Sequence, residues 1–197
     1  MIRLSKTHVM IDLETMGTGN DAAIIALGAV KFDPRGSGLL DAFYTRVDLG
    51  SSLEAGLSVN GSTIDWWMHK DRDQAREALL SSVGMPLWEV LTGFISWMES
   101  PIPKTAENAG FDGDPLAIEG VWGNGATFDN VILRTAYNKL KMQCPWTFRQ
   151  DRCYRTLKAL TTVPVVVGES IAHHALNDAV TQAHHMQAIC AELEIDP

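Results

Sequence analysis

The chain opens on a dense apolar run, His8-Val9-Met10-Ile11-Asp12-Leu13, which predicts a buried strand over residues 8–13. Gly17, Gly19 and Asn20 mark a turn, and residues 22–32 predict a second strand closed by Asp33-Pro34-Arg35-Gly36. Residues 39–47 predict a third, completing an antiparallel meander. The period then changes. Ser62-Thr63-Ile64-Asp65 has the Ser-x-x-Asp form that starts helices, with Trp66, Trp67 and Met68 in the first turns. Leu87, Val90, Leu91, Phe94, Ile95 and Met98 recur at helical spacing and predict an amphipathic helix over 86–99. Residues 101–115 are rich in Pro, Gly, Asp and Asn and predict an irregular excursion. Residues 117–122 predict another buried strand, broken at Gly123-Asn124-Gly125, after which Thr127 is expected to cap a helix reaching about Leu140. Residues 154–160 and 174–193 predict two more helices. Strands first and strand–helix alternation afterwards imply an α/β fold, a mixed β-sheet flanked by α-helices.

Length and composition narrow the class. At 197 residues, with no repeat or linker, the chain suits one domain over 1–197, and 46% hydrophobic content is that of a soluble globular protein. Cys144, Cys153 and Cys190 are an odd number without metal-ligand spacing, so a reduced, cytoplasmic setting is expected. Asp12 and Glu14 interrupt the N-terminal apolar run, and no long one follows, so neither a signal peptide nor a membrane partner is expected. A net charge of −8 argues against tight binding along duplex DNA. Seven Lys and Arg between Arg134 and Lys158, against Asp151 alone, form a local basic strip, suited either to brief contact with a backbone or to plain solvation.

Carboxylates carry the chemistry. Asp12 and Glu14 stand i, i+2 on a strand and share one face. A carboxylate within an apolar strand is costly unless paired or bound to metal. Asp129 falls in the first turn of a helix, where it complements the helix dipole or joins a site. Asp178 sits between Ala175 and Ala179, small neighbours that let a helix pack closely on the sheet and carry it inward. His173, just before that helix, is a residue type suited to act as a base near neutral pH. His174 and Asp178 also stand i, i+4 as in helical zinc sites, with His184-His185 further on, but no His-Glu-x-x-His pattern occurs. Trp66 and Trp67 point about 100° apart on a helix, so one can pack inside while the other offers a surface for stacking a base. Four carboxylates and one histidine suffice to hold two hard divalent cations and supply one base for phosphodiester hydrolysis.

In order, Asp12-Leu13-Glu14-Thr15, Phe128-Asp129 and His173-His174-Ala175-Leu176-Asn177-Asp178 resemble the three motifs of the DEDDh 3′→5′ exonucleases, and the likeness spans nearly the whole chain. Asp-Leu-Glu-Thr-Met-Gly, Ile64-Asp65-Trp66-Trp67 and Gly123-Asn124-Gly125 are most similar to the exonuclease A group of T-even phages and the RNase AS group. Gly125 departs from the pattern, standing where many members carry Asn. The resemblance implies an RNase H-like fold and two Mg²⁺ or Mn²⁺ ions held by Asp12, Glu14, Asp129 and Asp178. It implies His173, not His174, as the base, and Leu13, Thr15, Met16 and Phe128 lining the terminal nucleotide's pocket, with Trp66 the candidate stacking residue. The implied substrates are 3′ ends of single-stranded DNA, ahead of RNA, cut to 5′-mononucleotides; relatives of this kind are often homodimers. Two alternatives use the same residues or fold: a phosphodiesterase of short oligonucleotides or dinucleotides, and a non-catalytic nucleic-acid-binding module.

Overall fold

The computed structural model describes residues 5–105, 108–114, 116–166, 172–195 and 197. Three strands open the chain, β1 (Thr7–Thr15), β2 (Ile24–Phe32) and β3 (Leu39–Arg46). Four helices follow, α1 (Leu49–Glu54), α2 (Gly61–Met68), α3 (Asp73–Leu80) and α4 (Leu87–Met98). Then come β4 (Ile118–Gly123), α5 (Asp129–Lys139), β5 (Asp151–Cys153), α6 (Tyr154–Lys158) and α7 (Ala175–Leu193). The sheet runs β3-β2-β1-β4-β5. β1 pairs antiparallel with β2 and parallel with β4, so the expected meander and mixed sheet both form.

The two-residue period of β1 divides the core. Val9, Ile11 and Leu13 pack with Val90, Leu91 and Phe94 of α4 and Ile132 and Leu133 of α5. Met10 packs on the opposite face with Val30, Phe32 and the Ala179, Ala183 and Met186 stripe of α7. Asp12 and Glu14 share the parity of Met10 and therefore point to the α7 side. Gly28 stands opposite Asp12 in the β1–β2 register. A methyl group on Gly28 would lie 2.2 Å from the carbonyl carbon of Ala175, so the first turn of α7 rests directly on the β2 backbone. This bare backbone is what lets the third motif approach the first.

Several boundaries differ from expectation. Asn60, not Ser62, caps α2, its side chain accepting from the Ser62 N–H at 2.9 Å. Thr127 does not cap α5. Instead the Gly125 carbonyl, in a turn where Gly125 takes φ +119°, accepts from the N–H groups of Phe128 and Asp129. α1 lacks an apolar period and forms because Asp48 caps it, accepting from the Ser51 N–H at 2.8 Å. β5 has three residues, too short for a pattern. The described part of 101–115 contains no helix or strand, while 106, 107 and 115 lie outside the described residues. Among the described residues no helix is long and apolar enough to cross a membrane.

Candidate active site

Asp12, Glu14 and Asp178 each bring a carboxylate oxygen within 4.8 Å of the others'. They are the one such group of potential metal ligands among the described residues, and the zinc arrangement around His174 and His184-His185 does not form. His185 is instead buried between the Tyr154 hydroxyl (2.6 Å) and the Val163 carbonyl (2.8 Å). Asp129 arrives from the start of α5, its Oδ1 accepting from the Leu13 N–H at 3.3 Å. Its Oδ2 is buried and has no hydrogen-bond partner among the described residues. Gly123 makes room, since a methyl group there would lie 3.0 Å from that same Oδ2.

Burial shapes the protonation of all four, and neighbouring like charges add to it at Asp12 and Glu14. Burial, then Asp178 and Asp129, push Glu14 up to about 8. Burial pushes Asp129 to about 7 against hydrogen bonds from Leu13 and neighbouring backbone and the charge of Arg155. Asp12 is raised well above the usual carboxylate range by burial and then by Asp129, Glu14 and Asp178. Asp178 is raised by burial, opposed by His173 and its backbone N–H. Four carboxylates that cannot comfortably ionise together form a site adapted to added positive charge. The set fits divalent cations on two counts, clustered hard oxygen donors and the orphaned Asp129 Oδ2.

His173 takes φ +61°, a left-handed turn immediately before α7, and meets the Trp66 ring edge-on at 4.9 Å. Burial and then Arg72 lower its pKa, while Asp178 opposes the shift. His174 turns away and stacks on Tyr44 at 4.4 Å. The pair of tryptophans splits as their angular offset requires. Trp67 is buried and donates to the Thr15 carbonyl at 3.0 Å, while Trp66 is 38% exposed. A cleft of about 360 Å³ opens beside the carboxylates, lined by Leu13, Glu14, Thr15, Trp66 and Phe128 among others. Met16 does not line it and packs against the core. A larger cavity of about 700 Å³ lies between Thr161–Pro164 and Glu192, Leu193 of α7 and is lined by none of Asp12, Glu14, Asp129 and Asp178.

Two features lay outside the motif reading. Gln182, one turn beyond Asp178, donates to Asp12 Oδ1 at 2.8 Å and so fixes the orientation of that carboxylate. Its i, i+4 spacing from Asp178 was the available signal. Two members of the basic strip have partners within the chain. Arg134 is committed to Asp151 at 3.0 Å, and Arg155 donates to the Asn124 carbonyl near the second motif.

The chain matches the family described as 3′-5′ exoribonuclease Rv2179c-like domain over residues 7–190. It is similar to the exodeoxyribonuclease of Enterobacteria phage T4, 29% identical across 86% of this chain and 82% of the relative. Among solved structures it resembles the nuclease domain of 3′hExo, a DEDDh family member bound to rAMP. That likeness has a TM-score of 0.59 at 12% identity over 95% of this chain and 93% of the other. The E. coli ExoI–ssDNA complex has the same TM-score at 13% identity over 96% of this chain, which spans only 41% of ExoI. With its three carboxylate motifs gathered at the carboxyl ends of β1 and β4, the chain belongs to the 3′-5′ exoribonuclease Rv2179c-like domain family and is a DEDDh-type nuclease on an RNase H-like fold.

Proposed function

We propose that this protein trims single-stranded nucleic acid from its 3′ end with divalent metal, DNA ahead of RNA, releasing 5′-mononucleotides. The observation carrying this reading is the meeting of Asp12, Glu14 and Asp178 within 4.8 Å, joined through Leu13 to Asp129. These four would hold two Mg²⁺ or Mn²⁺ ions. When bound, the cations would supply acidification of the attacking water and charge neutralisation at the leaving oxygen.

The residues do the remaining work. His173 accepts the proton of the attacking water on an imidazole kept largely neutral by burial and Arg72, hence ready to act as a base at neutral pH. Gln182 keeps one oxygen of Asp12 occupied. Leu13, Thr15 and Phe128 wall the cleft in which a terminal nucleotide would sit, and Trp66 both lines that cleft and meets His173 edge-on. The T4 relative, an exodeoxyribonuclease, supports DNA. RNA is the second reading, supported by the exoribonuclease description of the family. Measuring kcat/KM on matched single-stranded DNA and RNA, with product identification, separates them. Higher kcat/KM on DNA with 5′-mononucleotide products is expected; preference for RNA would overturn the order, and internal cuts would overturn the exonuclease reading.

A further inference from the structure

Arg72 ends the short 3₁₀ turn Lys70–Arg72 between α2 and α3. Its guanidinium carbon lies 4.2 Å from the centroid of the Trp66 ring, covering one side of it. Trp66 in turn meets His173 at 4.9 Å, so guanidinium and imidazole stand within the sum of those separations, about 9 Å. Arg72 is half-buried, yet its Nε has no hydrogen-bond partner among the described residues, where its side chain makes just one long hydrogen bond, 3.4 Å from an Nη to the Asp71 carbonyl. The neighbouring carboxylate of Asp71 pairs with His69 instead, at 3.2 Å.

Three other arginines are committed. Arg76 pairs with Asp73 and donates to the carbonyls of Trp67 and His69; Arg134 pairs with Asp151; Arg155 binds the Asn124 carbonyl. A half-buried guanidinium with an unused donor is costly until an acceptor completes it. The acceptor is negative and planar recognition suits it, because among the described residues no carboxylate pairs with Arg72 and its fork matches phosphate oxygens. It is not the scissile phosphate. That group belongs with the four carboxylates and their cations, whereas Arg72 lies over the Trp66 ring and is not among the residues lining the cleft. A single strand offers another phosphate one nucleotide away, within the reach that those separations define.

Resting on the exonuclease reading, we propose that Arg72, held flat by Trp66, binds the phosphate one nucleotide 5′ of the scissile bond. The site thereby selects chains bearing a second phosphate over a bare dinucleotide. The test compares a dinucleoside monophosphate with the same compound carrying a 5′-phosphate, using wild type, Arg72→Gln and Arg72→Lys. In the wild type the 5′-phosphate should raise kcat/KM by roughly ten- to a hundredfold, mainly through KM. Arg72→Gln should collapse that ratio to within about threefold, and Arg72→Lys should restore part of it, a point charge replacing a fork. A trinucleotide whose 5′ linkage is a neutral methylphosphonate should lose the same advantage with wild-type protein, independently of any folding effect. An equal loss on both dinucleotides in Arg72→Gln overturns the proposal, since Arg72 would then act only through Trp66 and His173. A wild type indifferent to the second phosphate overturns it too. Failure of the exonuclease reading looks different: wild type then leaves every substrate intact, longer oligonucleotides included, and the proposal falls with it.

Discussion

Gly28→Ala is the substitution that most directly probes how the third motif reaches the first. The added methyl would lie 2.2 Å from the Ala175 carbonyl carbon, 2.3 Å from the Leu176 nitrogen and 2.5 Å from the Ala175 oxygen. Ordinary carbon contacts are about 3.5–4.0 Å, so the start of α7 must retreat by roughly 1–1.5 Å or β2 must buckle. All three atoms are backbone, so no side-chain rotation relieves the clash. Overpacking of this kind costs about 1–3 kcal/mol, a fall in Tm of several degrees for a chain of this size. The catalytic cost should be larger. Asp178 and His173 lie in or just before the displaced turn, and Asp12 is cross-strand from Gly28. A misplacement of about 1 Å at reacting groups is worth roughly a hundredfold in rate. The assay is kcat on a 5′-labelled oligonucleotide at saturating Mg²⁺, with Tm measured alongside. Gly61→Ala is the control, because a methyl there meets nothing within 4 Å. If Gly28→Ala matches Gly61→Ala in both Tm and kcat, the claim that bare β2 backbone seats α7 is wrong.

The carboxylates also set a pH dependence of stability. Glu14, raised from an ordinary 4.5 to about 8, and Asp129, raised to about 7, hold protons in the folded chain that the unfolded chain has released. Metal-free protein should therefore be most stable below about pH 4.5, so far as these groups decide, and lose on the order of a few kcal/mol as pH rises to 8. Mg²⁺ should flatten that loss, and denaturant unfolding at each pH with EDTA or Mg²⁺ checks it; identical curves would contradict it. Gln182→Leu removes the bond to Asp12, and the Mg²⁺ concentration for half-maximal activity should rise roughly ten- to a hundredfold. An unchanged metal requirement would show that Asp12 needs no such support. His173→Ala should lower kcat by about 10²–10⁴ with Tm nearly unchanged, whereas His174→Ala, which removes stacking on Tyr44 and a minor electrostatic contribution at Asp178, should keep most activity. Equal losses would deny the two neighbours their separate roles.

Much of this architecture was legible in the chain because it rests on periodicities. The alternation through Met10, Asp12 and Glu14 places the carboxylates on one face, and the spacing of Leu87 to Met98 defines α4 to within a residue. The ordered motifs lead to residues that the fold gathers, with Asp12, Glu14 and Asp178 meeting from opposite ends of the chain. What escaped was long-range. Gly28 looks like any glycine in a strand until α7 is laid across it, and Gln182 looks like a solvated helix residue until Asp12 lies within its reach. Nor does anything local reveal that Arg134, counted in the basic strip, turns to Asp151. Helix starts also misled. Ser62 and Thr127 have capping chemistry, but Asn60 and the Gly125 carbonyl stand where the backbone needs an acceptor.

The central claim is that four carboxylates from three separate segments form one metal centre that shortens nucleic acid from its 3′ end. A time course on a 5′-labelled single strand, run with Mg²⁺ and with EDTA for the wild type and Asp129→Asn, tests it most directly. The wild type with Mg²⁺ should produce a ladder descending one nucleotide at a time, abolished by EDTA and slowed at least a hundredfold by Asp129→Asn. A ladder that persists in EDTA, or one that Asp129→Asn leaves unchanged, would contradict the account.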